Sequence, residues 1–141
     1  MKKILILLVL LLVVSCGKVD SPDTEAEKEI VEPEIIITYI ELTPAEAKEA
    51  IEANPDVIVL DVSPNYDEGH IPGAINYYVG DGSLDEAIPT LEKNIPYLVY
   101  CHVDSAAILG AQKLLDANFT TIYRLKGNYK AWVKAGYPVE K

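Results

Sequence analysis

From residue 35 to the end of the chain, short runs of β-branched and aromatic residues alternate with segments of helical composition. Residues 35–40 (Ile-Ile-Ile-Thr-Tyr-Ile), 57–60 (Val-Ile-Val-Leu), 97–100 (Tyr-Leu-Val-Tyr) and 121–124 (Thr-Ile-Tyr-Arg) read as strands. The runs at 57–60 and 97–100 are apolar without a break, as in strands covered on both faces. Thr43 followed by Pro44 supplies an N-cap and a proline at the first helical position. This opens a helix over 45–53 that turns Ala47, Ala50 and Ile51 inward and stops at Asn54-Pro55. Further helices are expected over 84–93, 105–118 and 128–135, the last closed by Gly136. Residues 61–76, rich in Pro, Gly and Asn, read as loop or short helix. Strands that alternate with helices imply a central parallel sheet flanked by helices on both faces, so the expected fold is one α/β domain over residues 35–141. Ligands of such sheets bind at the carboxyl ends of the strands. Cys101 falls at that edge, after a central strand and before a helix.

The first 34 residues have a different character. Met1-Lys2-Lys3 is basic, residues 4–14 are uninterruptedly apolar, and Ser15-Cys16-Gly17 supplies small residues at a cleavage point. This is the anatomy of a signal peptide over 1–15. The apolar run is shorter than the roughly 20 residues a membrane-spanning helix needs. Val13-Val14-Ser15-Cys16 resembles the lipobox of bacterial-type lipoproteins, in which the cysteine is diacylated and becomes the mature N-terminus. Two acyl chains on Cys16 would anchor the chain stably to a membrane; the other reading is a plain secretory leader. Residues 17–34 hold seven acidic residues, two lysines, two prolines and no aromatic residue, and read as a disordered acidic tether. The protein is therefore expected to be exported and held outside the cytoplasm, in the cell envelope, by its N-terminal lipid. A formal charge of −10 argues against nucleic acid as a partner, because phosphate binding requires clustered Lys and Arg.

With Cys16 committed to lipid, Cys101 is the one thiol left, and no internal disulfide can form. A thiol between a strand end and a helix N-terminus meets unpaired backbone N–H groups and the positive end of the helix dipole, which favour the thiolate. The same donors could bind an anionic sulfur species. The alternative is a buried structural cysteine, a common state of free cysteine.

The chain from residue 40 to 139 resembles the rhodanese family in three motifs. Leu60-Asp61-Val62, followed by Tyr66-Asp67-Glu68-Gly69-His70-Ile71-Pro72-Gly73-Ala74-Ile75-Asn76, is similar to the family's strand, Asp and G-H-I-P-G-A signature. Tyr100-Cys101 matches the approach to its active-site loop. Ala117-Asn118-Phe119, Ile122 through Asn128, Ala131-Trp132 and Ala135 through Val139 follow its closing pattern. The resemblance implies a cysteine nucleophile that takes sulfane sulfur, becomes a persulfide and passes the sulfur on, with neither metal nor cofactor. Its implied partners are a small sulfur-containing substrate or a persulfide-carrying protein. The loop that would bind substrate is His102, Val103, Asp104, Ser105, Ala106 and Ala107.

Departures from the family concentrate in that loop. Active members commonly read Cys-Arg-x-Gly-x-Arg-Ser, whereas here His102 and Ala106 replace the two arginines and Asp104 the glycine. A carboxylate at Asp104 raises the thiol pKa and repels anions; alternatively it caps the helix that follows. His102 either replaces some of the lost charge as an imidazolium, mainly below neutral pH, or is a solvent-facing loop residue. His70 is expected to fix loop structure, and Asp61, followed by Ser63 where the family has Arg, to bond loop backbone near the site. Cys101, His102 and His70 have no familiar metal-ligand spacing. Arg124 is the chain's one arginine and, like Lys126, lies near a strand end where it could supply the missing cation. Two functions follow, a sulfurtransferase or persulfide carrier and a catalytically degenerate binding or sensor module.

Overall fold

The structure, a computed structural model, describes residues 38–141. The leader, Cys16, the tether and residues 35–37 of the first expected strand lie outside the described residues. Five parallel strands, β1 (Ile40–Leu42), β2 (Ile58–Asp61), β3 (Ile75–Asn76), β4 (Pro96–Tyr100) and β5 (Thr121–Leu125), form one sheet in the order β1-β5-β4-β2-β3. Four helices, α1 (Pro44–Ala53), α2 (Ser83–Ala87), α3 (Asp104–Asp116) and α4 (Asn128–Lys134), alternate with them. The parallel α/β architecture expected from the alternation is therefore the one observed. No helix among the described residues is long and apolar enough to cross a membrane.

Local chemistry accounts for most element ends. At α1 the Thr43 hydroxyl accepts from the Glu46 N–H, and the Glu46 carboxylate accepts from the Thr43 N–H, a reciprocal capping box with Pro44 in the first turn. Three expectations need correction. The first strand begins only at Ile40, because pairing of Ile40 through Leu42 with Tyr123 through Leu125 sets its length rather than β-propensity. The helix expected over 84–93 stops at Ala87 and continues as a 3₁₀ turn, Ile88–Thr90, since Pro89 has no N–H to carry α-helical bonding onward. Within the 61–76 loop lie a 3₁₀ turn, Tyr66–Glu68, and the two-residue strand β3, which is too short to leave an alternation signal.

Period-two alternation divides the interior between the sheet's two faces. Tyr97, Val99 and then Cys101 turn toward α2 and α3, where Val62, Leu84, Ala107, Ala111, Leu114 and Phe119 meet them. Leu98 and Tyr100 turn the other way, onto Ala47, Ile71, Leu125 and Trp132. Gly110 lets α3 approach the sheet closely: a Cβ there would stand 3.0 Å from a Val62 methyl. The side-chain period thus delivers Cys101 to the face under α3.

Candidate active site

Cys101 follows the central strand β4 and is fully buried. Its N–H donates to the Asn128 side-chain oxygen at 3.2 Å, and its carbonyl accepts from the Tyr129 N–H at 3.0 Å. Burial pushes the Cys101 thiol up from its ordinary value; the backbone N–H groups of Val103 and His102 beside it pull it down, and the charge of Asp61 adds to the rise. The net direction is up. Position alone left a thiolate at a helix start and a buried structural cysteine both open; here packing among Leu60, Val62, Val99 and Ala107 disfavours the charged form more than two backbone donors favour it.

Asp104 does not cap α3. The N-cap is Val103, which makes no side-chain cap bond, and Asp104 stands in the first turn with its carboxylate turned aside. Its Oδ1 accepts from Arg124 Nη1 and, at 2.9 Å, from Asn128 Nδ2. A fixed guanidinium competes better for a carboxylate than the helix's own N–H groups do. The hydrogen bond to Arg124 is the largest of the effects that hold the Asp104 carboxyl below the usual carboxylate range.

Arg124, 5% exposed on β5, lies between Asp104 and Glu41 of β1 and bonds both, with its guanidinium 5.7 Å from the Tyr39 ring centroid. The cation absent from the loop is therefore present beside it, but two carboxylates already share it. Its Nε has no partner among the described residues. Lys126 and Lys130 are exposed nearby. Glu41, His102, Asp104, Arg124, Lys126 and Lys130 line one open pocket of about 490 Å³.

The other expected residues divide by role. His102 is half-buried and stacks on Tyr129, ring centroids 4.4 Å apart, so it does not simply face solvent. Val103 and Ser105 are exposed, Ala106 is half-buried, and Ala107 is fully buried as a core residue under the helix. Asp61 is fully buried: one carboxylate oxygen accepts from the Ser63 N–H at 2.8 Å, and the other has no partner among the described residues. His70 belongs elsewhere. It stacks on Tyr66, its Nδ1 lies 3.1 Å from the Tyr66 carbonyl, and its backbone pairs with Glu140 near the C-terminus. Cys101, His102 and His70 form no metal-binding cluster among the described residues.

Asn128 and Glu41 are the residues that sequence reasoning missed. Gly127 (φ 76°) and Asn128 (φ 57°) are successive left-handed residues, a turn that aims the buried Asn128 amide back at the loop. That amide clamps the loop at both ends, accepting from Cys101 and donating to Asp104. The Gly-Asn pair signals such a turn, but nothing local names what its side chain will meet.

The family model described as Rhodanese-like domain matches residues 43–135 of the chain. The chain is similar to a Thiosulfate sulfurtransferase GlpE from Coxiella burnetii, 30% identical over 102 residues that cover 71% of this chain and 92% of that protein. A protein of the same name from Glaesserella parasuis is 24% identical over 103 residues, covering 73% and 94%. Among solved structures, the Alr3790 protein from Anabaena aligns with a TM-score of 0.64 at 30% identity, covering 70% of this chain and 81% of that one. A rhodanese-related protein from Thermoplasma volcanium aligns with a TM-score of 0.63 at 27% identity, covering 72% and 98%.

Proposed function

The chain belongs to the rhodanese-like domain family, and from that premise we propose that it is a sulfurtransferase or persulfide carrier with Cys101 as its nucleophile. The observation that carries this reading is the thiol at the carboxyl end of the central strand, at the start of the loop that leads into α3, with the Asn128 amide holding the Cys101 N–H. The sulfurtransferase names of two relatives support it. In the transfer step the Cys101 thiolate attacks the outer sulfur of a donor. With thiosulfate, the sulfur–sulfur bond breaks, sulfite leaves with the bonding pair, and a persulfide remains on Cys101. A nucleophilic acceptor then takes the outer sulfur and returns the thiolate. No metal or cofactor enters these steps.

The full chain carrying Cys16→Ser should gain about 32 Da on exposure to a polysulfide or persulfide donor, by intact-mass analysis. Its rate of uptake should rise about tenfold per pH unit and keep climbing past about 8.5, because the reacting form is a thiolate whose formation burial delays. The matching stability effect has a fixed sign. A raised folded pKa contributes stability that is complete below the unfolded thiol value and is lost as pH rises through the folded one. One observation favours a second reading, a binding or sensor module without turnover: the thiol is pushed up and Arg124 is already shared by Glu41 and Asp104. That reading requires no adduct from any donor up to pH 9.

The proposal extends to the N-terminus. Residues 1–15 act as a lipoprotein signal, Cys16 carries the acyl chains, and residues 17–34 tether the domain outside the cytoplasm. Partners are a small sulfur compound or a persulfide-carrying protein. Expressed in bacteria, the chain should partition into detergent and lose that behaviour in Cys16→Ser; partitioning that survives the substitution would reject the anchor.

A further inference from the structure

The pocket beside the Cys101 loop brings three cations and two carboxylates onto one rim. Arg124 binds only one oxygen of each acid, Glu41 Oε1 and Asp104 Oδ1. Each acid's second oxygen therefore has no partner among the described residues, on side chains 43% and 61% exposed. Lys126 and Lys130, on the β5 to α4 side of the same pocket, make no ion pair among the described residues. A small dianion drawn to the lysines meets two carboxylates, and a simple cation meets the lysines. A molecule with one positive and one negative group separated by a carbon or two satisfies both ends. The volume, about 490 Å³, lies within the usual range of small-molecule sites, about 300–1,000 Å³. Arg124, itself buried, holds both acids at the pocket through one ion pair to each, so their placement is built into the fold rather than a chance meeting of surface charges.

We propose that this pocket recognises the ammonium and carboxylate of an amino-acid persulfide, with Glu41 and Asp104 taking the ammonium and Lys126 and Lys130 the carboxylate. The inference rests on Cys101 as the sulfur acceptor and names the donor class, an aminocarboxylate of the form R–S–SH in preference to thiosulfate. In the step, the Cys101 thiolate bonds to the terminal sulfur and the donor's S–S bond breaks. The R–S⁻ that leaves takes up a proton equal to the one Cys101 released, so a thiol and a persulfide exchange places with no net oxidation.

The test uses the full chain with Cys16→Ser and calorimetric titration with S-methylcysteine, which has no transferable sulfur. Its two truncated relatives, 3-(methylthio)propionate without the ammonium and 2-(methylthio)ethylamine without the carboxylate, are titrated alongside. S-methylcysteine should bind at least about tenfold more tightly than either, a difference of about 1.4 kcal/mol. Lys126→Ala with Lys130→Ala should remove that advantage while leaving 2-(methylthio)ethylamine unchanged. Equal affinity for all three compounds, or no effect of the double substitution, overturns the proposal. Failure of the underlying function looks different. Discrimination among the analogues with no sulfur uptake on Cys101 retains the pocket and rejects the transfer reaction, whereas equal loading from thiosulfate and cysteine persulfide with no discrimination does the reverse.

Discussion

Cys101→Ser, introduced alongside Cys16→Ser, should reduce sulfur uptake and transfer to background, a loss of at least about a thousandfold, since a serine hydroxyl forms no persulfide. The fold should survive. The replacement hydroxyl is smaller than the thiol and sits beside the His102 and Val103 backbone N–H groups that already favour negative charge there, so the cost of burying it is limited. The expected cost is about 1–2 kcal/mol, read from urea unfolding. Persistent uptake in this variant would remove Cys101 from the mechanism. A collapse of stability well beyond this range would mark the residue as chiefly a packing element of the α3 face, the role its full burial also permits.

Asn128→Ala should have the largest effect on the fold of any single polar substitution near the site. Two terms act in one direction. The buried Cys101 N–H loses its acceptor, worth about 1–3 kcal/mol. An alanine must also hold φ near +57°, where residues other than Gly, Asn and Asp are strained by about 1–2 kcal/mol. Together they amount to about 3 kcal/mol, a fall in Tm on the order of 10–20 °C for a domain of this size. Asn128→Gly separates the terms, because glycine removes the backbone strain and keeps the loss of hydrogen bonds. It should fall between wild type and alanine. Both substitutions open the clamp on the loop, so alkylation of Cys101 should accelerate even as stability drops. A slower reaction in either variant would show that the clamp presents the thiol rather than restrains it.

The corrections and the correct readings separate along one physical line. The parallel α/β architecture, the Thr43-Pro44 helix start and the placement of Cys101 after the central strand were legible because each depends on residues a few positions apart, through side-chain period, capping and turn chemistry. The two-residue strand β3 left no such trace, and the end of β1 was decided by its pairing with β5. The loop's electrostatics depend on partners distant in the chain. Asp104 met Arg124 20 residues away, and Arg124 met Glu41 83 residues away. An acid beside a helix start reads as a cap until a buried guanidinium arrives from another strand and claims it.

By itself, then, the sequence determined the alternation that makes a parallel sheet and the point on its edge where a thiol would stand, since both are written in local periodicity. Only the tertiary structure decided the state of that thiol and its surroundings. Burial between β4 and α3 raises the Cys101 pKa, Arg124 is shared between two acids, and Asn128 ties the loop at both ends. Desolvation and charge pairing are sums over everything folded nearby, and no window of sequence contains that sum.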